Sequence, residues 1–154
     1  MGATGRPAVT AGLAERVAVL RDEVLDIAER GESALGAEVF DATLRRLASY
    51  EHTDPGLDLG LHDALSRRLA WGDDEHELLV ECDEVCERLL AAAQRALRDP
   101  SEELLVAEAA TDVACAAARI VALAAVARAA ADRAALLRQE AAIERLRASV
   151  DADE

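Results

Sequence analysis

The fold is decided by residues 101–149, which read SEELLVAEAATDVACAAARIVALAAVARAAADRAALLRQEAAIERLRAS. This stretch contains no glycine or proline, and its commonest residue is alanine, the strongest helix former. We therefore predict one helix from Glu102 to Ser149, with Ser101 as its N-cap after the break at Asp99-Pro100. An unbroken helix of that length would span ~72 Å, whereas a compact chain of this size has a radius of gyration of only ~15 Å. The helix must therefore either bend or be covered by a partner.

Two apolar series with a spacing of seven residues run along this predicted helix. One consists of Val106, Val113, Ile120, Ala127, Ala134 and Ala141, and the other of Ala109, Ala116, Leu123, Ala130 and Leu137. Small residues at both positions of such a seam let two helices approach closely, as in a coiled coil. The stripe then drifts to Leu136, Ile143, Leu146 and Val150. The pattern predicts a homodimer, although it is equally typical of the central helix of a four-helix bundle.

Two helices are predicted in the first third of the chain. The first begins at Thr10, its N-cap, and runs to Arg30 before Gly31, with a seam of Leu13, Val17, Leu20, Val24 and Ile27. The second covers Ala34 to Tyr50 and buries Val39, Phe40, Leu44 and Leu47. A turn at residues 52–56 follows, because Pro-Gly cannot continue a helix.

Two further helices are predicted on either side of Gly72. The shorter one ends at Gly72, where Trp71 is expected to anchor it to the body, and it buries Leu61, Leu65 and Leu69. The other opens at Asp73-Asp74 and continues to Arg98, with an inner stripe of Leu78, Cys82, Val85, Leu89, Ala92 and Ala96.

Composition agrees with a purely helical chain. Of the 154 residues, 36 are alanine, and the aromatic residues are Phe40, Tyr50 and Trp71 alone, so strand formers are scarce. The sequence predicts an all-α fold, a four- to five-helix bundle with a long alanine-rich C-terminal helix. We expect a flexible N-terminus at residues 1–10, a single bundle domain at residues 11–150 and an acidic tail at residues 151–154.

The charge of the chain bears on its partners. The net charge of −14 would repel phosphate backbones and anionic lipid, so we expect neither nucleic acid nor a membrane as a partner. The longest charge-free run in the apolar segment at residues 113–127 is eight residues, Ile120 to Ala127, against the ~20 that a bilayer span needs. No charged-then-apolar leader opens the sequence, so we expect a cytoplasmic protein.

The three cysteines offer a candidate metal site. Cys82 and Cys86 lie four residues apart on one helical face, a spacing that can chelate Zn(II) or Cu(I), and Cys115 could supply a third thiolate. Free cysteines are also common core residues, and Cys82 falls on the predicted inner stripe. An odd number of thiols without an export signal predicts no structural disulfide.

The segment from Asp73 to Glu87 contains eight acidic residues and no Arg or Lys. It could bind a basic protein partner or a divalent cation, or it could simply be a solvated helix face with acids that favour the helix N-terminus.

Motifs for catalysis are missing from the sequence. No Glu-x-x-His pair is present for a di-metal centre, no glycine-rich loop for a phosphate, and no Ser or Cys grouped with a His and an acid. We expect a non-enzymatic bundle that acts through protein–protein contacts and self-associates. The alternative is a bundle, an enzyme being one option, that binds a small ligand or soft metal near Cys82, Cys86 and Cys115.

Overall fold

The computed structural model describes residues 6–25, 34–49 and 58–153. Every regular element in those ranges is an α-helix, namely α1 (Arg6–Ala18), α2 (Arg21–Leu25), α3 (Ala34–Ala48), α4 (Leu59–Ala70), α5 (Glu75–Ala96) and α6 (Pro100–Ala152). The predicted all-α fold with a long C-terminal helix is therefore confirmed.

The chain divides into two compact units, Met1–Val121 and Ala122–Glu154. The first unit is the bundle, in which α3 contacts α1, α2, α4 and α5. Phe40 and Val39 of α3 are fully enclosed, and Thr43 is the one buried polar side chain described; its hydroxyl donates to the Val39 carbonyl at 2.9 Å. The division of the chain into domains stays a prediction.

The first part of α6 completes the core of this bundle. Arg46 Nε of α3 donates to Asp112 Oδ2 at 3.1 Å, and Cys86 Sγ of α5 lies 3.7 Å from the Ala110 carbonyl oxygen. The buried residues of α6 are Val106, Ala109, Ala110, Val113, Ala116, Ala117, Ile120 and Val121. The residues of the predicted seam are thus buried as far as Ile120, and in the first unit the helices of the same bundle cover them.

The predicted seam of the first helix is confirmed at Leu13, Val17 and Val24, which are buried, but its predicted start and its continuity are wrong. The helix begins at Arg6, so Thr10 lies inside it and is not the N-cap. It also breaks at residues 19–20, where Val19 is exposed and the Leu20 amide bonds to the Val17 carbonyl at 3.0 Å. Directly after the break, Arg21 pairs with Asp41 and lies 5.7 Å from the centre of the Phe40 ring. Ile27, Arg30 and Gly31 lie outside the described residues.

The predicted start of α3 and most of its buried face are confirmed, but the helix ends at Ala48, before the predicted Tyr50. Val39, Phe40 and Leu47 are buried, whereas Leu44 is only half-buried. Tyr50 and the predicted turn at residues 52–56 lie outside the described residues.

The structure around the α4–α5 connection agrees closely with the prediction from the sequence. Leu61, Leu65 and Leu69 are buried, Gly72 has a left-handed φ of 92°, and the Asp74 carboxylate caps α5 by accepting from the Glu77 amide at 3.2 Å. Trp71 is different from what we predicted, because its side chain is 78% exposed and does not anchor α4 to the body. In α5 the predicted stripe is buried from Leu78 to Ala92, but Ala96 is exposed and the helix ends there.

The N-terminus of α6 is capped by Asp99 and not by Ser101. The Asp99 carboxylate accepts from both the amide and the hydroxyl of Ser101, at 2.9 and 2.8 Å. Pro100 then occupies the first helical position, where its fixed φ and missing N–H cost nothing. At its other end α6 continues past the predicted Ser149 to Ala152.

Candidate interaction surface on the C-terminal helix

The second unit exposes an unusual amount of apolar side chain. From residue 122 to residue 153 no side chain is buried. Seven large apolar residues are between 49% and 68% exposed there: Leu123, Val126, Leu136, Leu137, Ile143, Leu146 and Val150. Contiguous exposed apolar patches on a protein surface commonly mark contact sites.

These seven residues form two faces of the helix. At about 100° per residue, Leu123, Val126 and Leu137 fall on one side, which we call the proximal face. Leu136, Ile143, Leu146 and Val150 fall on the opposite side, which we call the distal face. The proximal face continues the heptad seam, and the distal face is the stripe to which that seam drifts.

Charge is distributed unevenly between the two units. Residues 1–121 contain 12 Arg and 25 acidic residues, whereas residues 122–154 contain 5 Arg and 6 acidic residues. The acidity of the chain is therefore a property of the bundle, and the second unit is almost neutral.

By length and composition, α6 is also the one helix of the described ranges that could cross a membrane. Its most apolar 18-residue window has a mean hydropathy of 1.8, and 28% of that window is buried. One helix of this kind is by itself weak evidence for a membrane span.

The acidic segment at the start of α5 is partly neutralised within the bundle. Arg68 pairs with Asp73 and, at 3.0 Å, with Glu81, and Arg88 Nη1 lies 4.0 Å from Glu84 Oε2. Four other acids of the segment remain exposed: Asp74, Glu77, Asp83 and Glu87. Asp74 also caps the helix, so this residue stabilises α5 whether or not the acidic face binds a partner.

The candidate thiol site is split between buried and exposed groups. Cys82 and Cys86 are buried on α5, and Cys115 is exposed on α6. Burial raises the pKa of the Cys82 thiol to about 12, with a further contribution from the neighbouring Cys86, and burial raises the pKa of Cys86 to about 11. Both thiols are therefore protonated at neutral pH, which opposes their conversion to the thiolate form that binds metal.

Side chains other than the three cysteines could also hold a metal ion. No group of three or more His, Cys, Asp or Glu side chains there is arranged to hold an ion. The prediction of a soft-metal site at the three cysteines stays a prediction.

One side-chain pair of chemical interest was not predicted from the sequence. Ser66 Oγ lies 3.3 Å from His62 Nδ1, one turn apart on the exposed side of α4. The spacing of four residues on a helix was the signal that could have identified it. Asp63, the neighbouring acid, pairs with Arg67 at 3.0 Å, so the Ser-His pair has no carboxylate from that residue.

No protein-family model, no curated protein and no solved structure matches this chain.

Proposed function

We propose that this protein is a non-enzymatic helical bundle that acts through protein–protein contact, with residues 122–150 of α6 as its contact surface and a homodimer as its assembled form. The observation that carries the proposal is the set of seven half-exposed or exposed large apolar side chains on that stretch. Leaving such side chains in water is unfavourable by roughly 25 cal/mol for each Å² that a partner could cover. The heptad spacing of the proximal face favours another helix as the covering element.

The proposal includes a cytoplasmic location and a second class of partner. Exposed carboxylates of α5, such as Glu77 and Asp83, would attract a basic protein surface. Attraction of this kind raises the rate of association more than the affinity, and it weakens with salt.

Site-specific photo-crosslinking in the host cell tests the contact surface. A photoreactive side chain placed at Leu146 is expected to form a covalent adduct with a protein, whereas one at Gln94, an exposed residue of α5, is not. The absence of any protein adduct from Leu146, and from Leu123 and Leu137 in turn, would contradict the proposal.

The rival proposal is a bundle that binds a soft metal or small ligand near Cys82, Cys86 and Cys115. Native mass spectrometry of the protein purified from its host separates the two functions, because a single spectrum reports the subunit count and any retained mass. A dimer without added mass supports the contact function, and a retained metal or metabolite supports the rival.

A further inference from the structure

The two edges of the distal face differ in character. Around the distal face, Arg133, Glu140 and Arg147 follow one edge at intervals of seven residues, while Ala135, Ala142 and Ser149 follow the other. All three charged side chains are exposed. One edge is therefore charged with alternating sign, and the other is lined by small side chains that allow close approach.

We infer that the distal face binds the distal face of a second copy of this chain, with the two helices antiparallel. This inference rests on the proposed function, and it specifies both the partner and its orientation. Reversing one helix brings like edges together, so the charged edge of one copy lies along the charged edge of the other.

One register pairs the two central apolar residues of the distal face and also brings opposite charges together. When Ile143 lies opposite the second copy's Leu146, two-fold symmetry repeats that contact and places Val150 opposite the second copy's Gln139. In the same register Glu140 lies about two residues, or ~3 Å along the axis, from the level of the second copy's Arg147 on the shared charged edge. The two side chains can therefore form an ion pair, and this pair also occurs twice. Because α6 ends at Ala152, the paired stretch covers residues 137–152 of each copy, ~24 Å of helix, and Leu136 lies just beyond it.

A parallel pair would lose these charge contacts. In that orientation the charged edge of one helix lies along the alanine edge of the other, so neither Glu140 nor Arg147 meets an opposite charge. Gln139 of one copy would also face Gln139 of the other copy. The sequence of the two edges thus favours the antiparallel pair.

The charge distribution favours the same stretch as the place of self-contact. Two copies of the bundle, with 12 Arg against 25 acidic residues each, repel one another, whereas the second unit carries 5 Arg against 6 acidic residues. Pairing through the second unit therefore avoids most of the like-charge repulsion that contact between bundles would create.

Charge reversal in the full-length chain tests the register. Arg147→Glu turns two attractive contacts into two repulsive ones, as does Glu140→Arg, and each is expected to weaken dimerisation roughly tenfold in sedimentation experiments. The double variant Glu140→Arg/Arg147→Glu restores opposite charges at both contacts and is expected to restore the dimer.

Arg145→Glu is the matched control. It makes the same change in net charge two residues away, but on the side of α6 opposite to the distal face, so the dimer is expected to be unaffected. Circular dichroism of all four variants checks that helicity is unchanged.

Failure of this inference can be distinguished from failure of the proposed function. A chain that is monomeric from micromolar to millimolar concentration overturns the self-pairing, and a different protein crosslinked to Leu146 would then still support the contact function. A dimer that is insensitive to the charge variants but weakened by Leu123→Gln overturns the distal register and assigns the contact to the proximal face.

Discussion

Asp58 links two helices through a single carboxylate. It accepts from the Leu61 amide at 3.0 Å, which caps α4, and from Nε and Nη2 of Arg45 in α3, at 2.7 and 2.8 Å. Burial acts to raise the pKa of Asp58, but the hydrogen bonds from Arg45 and from the Leu61 amide outweigh it and hold the pKa below its ordinary value. The ionised form is therefore the one that the folded state favours.

Replacement of Asp58 should destabilise the bundle in a pH-dependent way. Because the folded-state pKa is lowered, the stabilisation is present above the pKa of the unfolded chain, ~4, and is lost as pH falls through the folded value. We expect Asp58→Ala to lower the free energy of unfolding by about 1–2 kcal/mol at neutral pH, with a smaller difference at acidic pH, as measured by urea denaturation. Asp63→Ala, which removes an exposed pair on the same helix, is the control and should cost less than about 0.5 kcal/mol. An equal cost of Asp58→Ala at both pH values would contradict the assignment.

The cysteines should differ sharply in reactivity. In the folded chain a thiol reagent is expected to modify Cys115 quickly, because it is exposed, and to leave Cys82 and Cys86 unmodified. Their raised pKa values, about 12 and 11, suppress the reactive thiolate, and their burial excludes the reagent. A colorimetric titration before and after unfolding should report one thiol and then three. Rapid modification of a second thiol in the native protein would contradict the buried positions.

At the scale of elements, the helices that the sequence predicted best have local signals. Asp74 at the N-cap, Gly72 at the preceding turn and the leucines at intervals of four in α4 determine their structure through neighbours a few residues away. The break between α1 and α2 has no glycine or proline to mark it, and Arg21, directly after it, contacts Asp41 and Phe40, which lie about 20 residues further along. A local pattern could not show that contact.

Two glycines should respond in opposite directions to the same substitution. Gly72 has a φ of 92°, so Gly72→Ala is expected to lower the free energy of unfolding by about 1 kcal/mol, although an added Cβ meets no atom within 4 Å. Gly12 lies inside α1, where an added Cβ also meets nothing within 4 Å. Gly12→Ala is therefore expected to raise the free energy of unfolding by up to about 1 kcal/mol. Thermal or urea denaturation of both variants measures the difference. A shift of the same sign in both would contradict the conformations described.

At the scale of the molecule, the two units should be separable in stability. None of the side chains from residue 122 to residue 153 is buried, so a chain ending at Val121 keeps the whole described core. We expect this truncation to change the free energy of unfolding by less than about 1 kcal/mol and to abolish self-association. A truncated chain that does not fold would show that the second unit supports the bundle.

The exposed apolar faces of the second unit could be predicted from the sequence less fully than the fold. The heptad seam and its drift to Ile143 and Leu146 could be predicted, because the spacing of apolar residues is a property of the sequence alone. What the sequence could not show is where burial ends, since Ile120 and Leu123 belong to neighbouring turns of one pattern and differ only in whether other helices cover them. Trp71 is a similar case, as its size suggested an anchor and the structure exposes it.

The distribution of arginine has a practical consequence for studying this surface. The chain contains no lysine, so trypsin can cut only after arginine, and five exposed arginines lie on the second unit, at positions 128, 133, 138, 145 and 147. A partner that covers this stretch would shield those bonds from the protease. The order in which the five sites become protected, read from the masses of the fragments, would therefore map the footprint of whatever binds there.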